Sequence, residues 1–362
     1  MPTQLKRVHN FYAGPAALPL PALERAQAEL LDFAGTGMSV MEISHRAKPF
    51  IALQDEAESL VRELLGVPAN YKVLFLQGGA SLQFAMAPMN LLTPEKRADY
   101  VLTDDWSKKA LKEAKRFGQT KVVASSEETR FDRIPAEIPV ASDAAYLHVT
   151  SNNTIVGTQF QRFPSTGAVP LIADMSSDIM GRPLDVSQFG LIYAGAQKNL
   201  GPSGVTLVII REDLIEAGNA DLATMLSYKT HAEAGSMYNT PPTFGIYMLR
   251  NVLDWIKGEG GLTAMEARNA RKASAIYGAI DRHVGFYEGH AQRDSRSVMN
   301  VTFRLPEAVE KRFVAEAEAE GFVGLAGHRS VGGCRASIYN AVSEDSVKAL
   351  AAFMDEFARK NG

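Results

Sequence analysis

Lys198 and Asp174 are the two residues whose placement could do chemistry. Lys198 stands in Gly195-Ala196-Gln197-Lys198-Asn199-Leu200-Gly201-Pro202-Ser203-Gly204, between apolar stretches at 191–193 and 205–210. A Gly-rich turn between two buried strands sets the amine among small neighbours. They leave room for a flat ligand, and partial burial lowers an amine's pKa towards nucleophilicity. Asp174 follows the strand-like run 169–173 and opens Asp174-Met175-Ser176-Ser177. Alone, Lys198 reads equally as a surface-loop lysine and Asp174 as a helix N-cap. Together, an acid at one strand end and a lysine after the next strand suit pyridoxal phosphate. Lys198 would form its Schiff base, and Asp174 would keep the pyridinium nitrogen protonated.

Other groups fall at neighbouring strand ends. Gly78-Gly79-Ala80-Ser81 resembles a phosphate cup, with free N–H groups at the start of a helix. Trp106 is placed to stack on a ring, and Thr154, in Ser151-Asn152-Asn153-Thr154, to meet the cofactor's phenolic side. Each also has a plain structural reading, as a turn, a core tryptophan or a loop of turn formers. Farther away lie His45-Arg46 and the run 327–335 with His328, Arg329 and Arg335. If these meet, their forked cations form a site for a phosphate and a carboxylate; singly, each pair reads as solvated surface. No HExxH or Cys/His ligand spacing occurs, so no metal site is expected.

These residues need a scaffold. Short apolar runs at 73–76, 100–102, 121–124, 145–149, 169–173, 189–194 and 205–210 alternate with helical or loop segments. That pattern predicts an α/β fold with a mainly parallel sheet and helices on both faces. In such sheets ligands sit beyond the carboxyl ends of the strands. Helices are expected at 21–33 and 50–65, and over 244–283 with a break near 258–261. Beyond them a strand at 298–303, a helix at 306–320, a strand at 335–339 and a helix at 343–359 indicate a smaller α+β unit. The start, rich in aromatic, Gly and Pro residues, reads as an irregular docking arm. The expected division is a large domain over 17–260, and a small domain of 261–362 completed by the arm 1–16.

The 362 residues carry 38 basic and 41 acidic side chains, a net charge of −3 that argues against nucleic acid or an anionic membrane as main partner. Cys334 is the one cysteine, so no intramolecular disulfide is possible. No secretory signal and no run of about 20 apolar residues is present, so a cytoplasmic protein is expected.

The sequence resembles the phosphoserine aminotransferases, among the aspartate-aminotransferase-like enzymes of fold type I. The resemblance runs end to end. It rests on Asn10-Phe11-Tyr12-Ala13-Gly14-Pro15-Ala16, Ser44-His45-Arg46, the run from Gly78 to Phe84, Ala173-Asp174-Met175-Ser176-Ser177, the run from Gly195 to Pro202, Tyr238-Asn239-Thr240-Pro241-Pro242, and Gly327-His328-Arg329 with Ile338-Tyr339-Asn340-Ala341. It implies a seven-strand-type sheet and Lys198 as Schiff-base lysine and proton shuttle, with Asp174 on the ring nitrogen. Trp106 matches the stacking position and Thr154 a cofactor contact. Ala80, Ser81 and Gln197 match phosphate-binding positions. Asn239 and Thr240 match a pair reaching the neighbouring subunit's cofactor phosphate, which implies a homodimer with shared sites. His45 and Arg46 match substrate-binding positions contributed across that interface. His328 and Arg329 belong to the same anion-binding region, and Arg335 matches a carboxylate-binding arginine. Some members carry Gly-Arg where Ala80-Ser81 stand, so one phosphate-binding cation is missing here. The implied reaction is transamination of O-phospho-L-serine with 2-oxoglutarate to 3-phosphohydroxypyruvate and L-glutamate, and 4-phosphohydroxythreonine on the route to pyridoxal phosphate is a further substrate. Other readings are an alanine–glyoxylate aminotransferase, a cysteine desulfurase using Cys334, and a non-catalytic anion- or nucleotide-binding protein.

Overall fold

The computed structural model describes residues 7–362. Seven strands form the central sheet: β1 Tyr71–Leu76, β2 Arg97–Leu102, β3 Gln119–Ser125, β4 Ala144–Thr150, β5 Leu171–Asp174, β6 Leu191–Gly195 and β7 Thr206–Arg211. Their order across the sheet is β1-β7-β6-β5-β4-β2-β3. Only β7 runs against the others, pairing antiparallel with both β1 and β6.

Side-chain alternation explains why the sheet is covered twice. Val73, Phe75, Leu207 and Ile209 point into one apolar core, while Leu74, Leu76, Val208 and Ile210 point into another. A strand buried on both sides cannot show a polar face, which is why these strands read as continuous apolar runs. The helices Lys48–Leu65 and Thr243–Gly258 pack in the first core, and Gly79–Leu91 and Asp105–Ala114 in the second.

A third core gathers Phe303, Phe313, Phe353 and Phe357 with Ile276 and Leu350, around the sheet of Glu288–Gly289, Asn300–Arg304 and Cys334–Ser337. Phe313 meets Phe357 edge-on at 5.1 Å and Phe303 at 6.0 Å, the geometry aromatic quadrupoles favour. The helix Gly261–Arg282 spans both regions: Leu262 and Met265 lie in the first core, Ala273 and Ile276 in the third. We propose a division of the chain near 260 on this separation of cores.

Several boundaries differ from expectation. The first helix is Leu20–Glu29 and stops short of Phe33. β5 starts at Leu171 rather than 169, after Pro170, whose nitrogen carries no hydrogen for a ladder. The last small-sheet strand ends at Ser337. The arm is not wholly irregular, because His9–Asn10 pairs parallel with Phe322–Val323. Phe11 is fully buried in the third core. The arm then crosses to the large sheet, where Ala16 N–H donates to Gln197 O at 2.9 Å.

The loop after β4 is clasped to the small sheet at Gly157. Its φ is 78°, and an added Cβ would stand 2.7 Å from Asn300 O. Gly167, at φ 60°, has open space around it. Gly157→Ala is therefore expected to lower the thermal midpoint by several degrees, a loss of about 2 kcal/mol or more, whereas Gly167→Ala bears only the backbone cost of about 1 kcal/mol. Thermal unfolding of both variants checks the difference.

Candidate active site

At the carboxyl ends of β1, β2, β4, β5 and β6 lies a cavity of about 270 Å³. Each strand delivers its own group. After β1, Gly78 at φ 87° turns the chain into the helix Gly79–Leu91. A Cβ on Gly78 would lie 2.6 Å from Leu82, so only glycine makes this turn without displacing the helix. The N–H groups of that helix's first turn open on the cavity beside Ala80 and Ser81.

After β2, Asp104 caps the helix Asp105–Ala114. Its Oδ1 accepts from the N–H groups of Trp106 at 2.8 Å and Ser107 at 2.9 Å, and Ser107 Oγ closes the box by accepting from Asp104 N–H. This fixes Trp106 in the first turn, against the cavity. Beyond β4, Thr154 accepts a hydrogen bond of 2.6 Å from Lys198 Nζ. Asp174 is the last residue of β5, and its Oδ1 accepts from both Ser176 N–H at 2.9 Å and Ser176 Oγ at 2.6 Å. Ser176 Oγ in turn accepts from Gly195 N–H, the end of β6. One hydroxyl thus ties the aspartate's strand to the lysine's. Lys198 Nζ stands 6.0 Å from the Trp106 ring centroid, and the backbone of Gly14 lies along the lysine stem.

Burial governs the electrostatics. It pulls the Lys198 amine down to about 8, although Asp174 works against it. It raises Asp174, against the Ser176 hydrogen bonds and the Lys198 charge, and lifts Asp104 to about 7. Asp174 Oδ2 receives no hydrogen bond from the described residues. A cationic ring nitrogen would supply the missing partner. Helix N–H groups for a dianion, an amine poised near neutrality and a half-open carboxylate fit pyridoxal phosphate.

Of the expected residues, Ala80, Ser81, Trp106, Thr154, Asp174, Gln197 and Lys198 line this cavity together. Arg335 borders it. Its Nη1 donates to Thr154 O at 3.1 Å, its Nε has no partner among the described residues, and burial lowers its pKa. His328 lies within electrostatic reach of Arg335, with exposed Arg329 beside it. His45, Arg46, Asn239 and Thr240 do not reach the cavity. Arg46, Asn239 and Thr240 are exposed, and among the described residues the Arg46 guanidinium donates only to His45. Sequence reasoning missed Ser176 and Asp104. Both had a signal: an Asp-x-Ser turn for one, and Asp-x-x-Ser opening a helix for the other. Cys334 is buried in a strand core with its thiol pushed up to about 12, which removes the desulfurase reading.

Residues 8–350 match the aminotransferase class-V family. The phosphoserine aminotransferase of Geobacillus kaustophilus (strain HTA426) is 61% identical over 359 residues, covering 98% of this chain and 99% of that protein. The solved phosphoserine aminotransferase from Bacillus circulans subsp. alkalophilus superposes with a TM-score of 0.97 at 59% identity, covering 98% of this chain and 99% of that one. The pyridoxal-phosphate-bound enzyme of Trichomonas vaginalis gives 0.91 at 40%, over 96% of this chain and 99% of that one. An alanine–glyoxylate aminotransferase from Nostoc, 18% identical, shares the fold alone. The chain thus belongs to the class-V aminotransferases and, among them, to the phosphoserine aminotransferases, enzymes of fold type I that work with pyridoxal phosphate.

Proposed function

We propose that the chain transaminates O-phospho-L-serine with 2-oxoglutarate, giving 3-phosphohydroxypyruvate and L-glutamate in serine biosynthesis. One observation carries the substrate side. Arg335 is a half-buried guanidinium with no carboxylate partner among the described residues, directly beside Thr154 and the Lys198 amine. A buried cation without a partner asks for an anion, and the substrate's α-carboxylate is that anion.

The residues divide the work as follows. The helix N–H groups at Ala80 and Ser81, with Gln197, would hold the cofactor's phosphate. Asp174 would hold its ring nitrogen, and Trp106 and Thr154 would hold its face and phenolic side. When bound, the cofactor supplies an electron sink for the pair left on the substrate's α-carbon. Lys198 Nζ, free as an amine in the substrate complex, would take the α-proton and hold it for return. An amine pKa of about 8 suits both directions of that transfer. Thr154 and Gly14 confine the lysine's swing.

The substrate's phosphate needs more cations than one chain brings to the cavity. We therefore propose a homodimer in which the partner's His45 and Arg46 complete the phosphate site and the partner's Asn239 and Thr240 reach the cofactor phosphate. His328 and Arg329 border the same anion region. A cytoplasmic setting belongs to this reading, since phosphorylated substrates do not cross membranes unaided; no helix among the described residues is long and apolar enough to span one. The same site is proposed to take 4-phosphohydroxythreonine on the route to pyridoxal phosphate.

These outcomes are expected. In the cofactor-free protein the amine of Lys198 should become reactive towards trinitrobenzenesulfonate with a midpoint near pH 8, against 10.5 for an ordinary lysine, as followed by peptide mass. Below that midpoint Nζ is charged and inert. Lys198→Ala should abolish turnover, and so should Arg46→Ala for phosphoserine. Co-expressed, the two variants should regain about a quarter of wild-type activity, because half the dimers are hybrids with one intact site. No recovery, from soluble hybrid dimers, would contradict shared sites. Steady-state rates with phosphoserine, alanine and serine as donors test the substrate; equal use of alanine would overturn it.

A further inference from the structure

A second lysine is buried where the reaction described above gives it no part. Lys272, on the helix Gly261–Arg282, is 1% exposed. Its Nζ donates to three backbone carbonyls: Tyr339 O at 2.6 Å, Ile338 O at 2.8 Å and Val342 O at 3.1 Å. Three acceptors match the three N–H bonds of an ammonium, and a neutral amine has only two. The charged groups nearest to it, Arg268 and Glu344, are paired elsewhere, Arg268 with Glu259 and Glu344 with Arg271. Among the described residues Lys272 therefore has no counter-ion, and the carbonyls of one turn do that duty. Burial pulls the Lys272 amine down to about 7, so holding its ammonium form in an apolar core is costly, and a well-packed apolar side chain would cost less. What the ammonium gives in return is geometry: it draws three carbonyls of residues 338–342 to one point.

That turn leads to the active site by two routes. Asn340 N–H donates to Asn199 Oδ1 at 3.0 Å, and Asn199 is the neighbour of Lys198. The Asn340 side chain is fixed between Asn269, one turn before Lys272 on the same helix, and Met180 O. Tyr339 OH donates to Ala13 O at 2.8 Å, in the arm whose Gly14 lies against the Lys198 stem. Asn199 Nδ2 also reaches Ile179 O, which closes the link to the large sheet.

We propose that Lys272 is a positioning residue for Lys198: its buried ammonium gathers the 338–342 turn, and the turn holds Asn199 and the arm against the reactive amine. The inference rests on the reading of Lys198 as the cofactor-bearing lysine. Removing the ammonium releases the three carbonyls, loosens the turn and admits water around Lys198. Water restores the solvation whose loss depresses the Lys198 pKa.

The test follows Lys198 itself. In cofactor-free Lys272→Met the pH midpoint for Lys198 labelling should rise by about one unit, and in the loaded enzyme kcat should fall roughly tenfold with KM changed less than about threefold, as misplacement of a reacting group requires. Lys272→Gln, which keeps two N–H donors, should lie between Lys272→Met and wild type. Asn199→Ala breaks the same route at its other end and should raise the midpoint likewise. A merely structural lysine would lower the thermal midpoint and leave labelling and kcat at wild-type values; that result in Lys272→Met, or in Asn199→Ala where Lys272→Met does not fold, overturns the inference. If wild-type Lys198 itself labels as an ordinary lysine, the reading of the reactive amine fails first and this inference with it.

Discussion

Two opposite charges held out of water set the terms for this molecule. Asp174 ends β5 and Lys198 follows β6, its immediate neighbour in the sheet. They do not form a close ion pair; burial acts on each, raising the carboxyl and lowering the amine. A close pair would have satisfied both and left nothing to react. The sheet keeps them apart at adjacent strand ends, and Ser176 locks the spacing by bonding both strands. The cavity is thereby left wanting a cation at Asp174 and an electrophile at Lys198. One flat, doubly functional cofactor answers both needs.

Beneath the cavity the sheet carries a layer of polar rings without charge, and the buried carboxyl of Asp178 lies within electrostatic reach of Asp174. His148, in β4, meets Tyr193 OH at 2.8 Å, and burial drops its pKa to about 3, so it stays neutral. Tyr100 and Tyr146 bond each other at 2.8 Å. Such a layer adds no competing charge below Asp174. Ionic interactions in a dry site are stronger for it. The small sheet, by contrast, brings a charge: Arg335 enters from the strand Cys334–Ser337 and stops at Thr154 O. Large sheet and small sheet therefore meet at the cavity, one bringing Asp174 and Lys198, the other the guanidinium of Arg335.

The strands and the cavity wall were largely legible in the sequence. Buried parallel strands read as apolar runs, and Gly78-Gly79 marks a turn no other residue makes as cheaply. Lys198, Asp174, Trp106 and Thr154 each follow a strand, so strand-end logic gathers them without any coordinates. The direction of β7 was not legible, because an apolar run has no polarity of pairing. Nor was the clasp between Lys272 and residues 338–342. A lysine in a helix carries no sign in sequence that three carbonyls from about seventy positions later will enclose it. His45, Arg46, Asn239 and Thr240 mark a different limit: their chemistry is plain in the sequence, but they stand away from the cavity of the chain that carries them.

The most direct measurement of the central claim is the visible absorption of the protein loaded with pyridoxal phosphate, titrated with phosphoserine in the absence of any keto acid. If the Lys198 amine and Asp174 hold the cofactor for amino transfer, the visible band should bleach in proportion to added phosphoserine and return on adding 2-oxoglutarate. A band that phosphoserine leaves unchanged, while another amino acid bleaches it, would contradict the substrate assignment. A protein that takes up no cofactor at all would contradict the reading of the cavity itself.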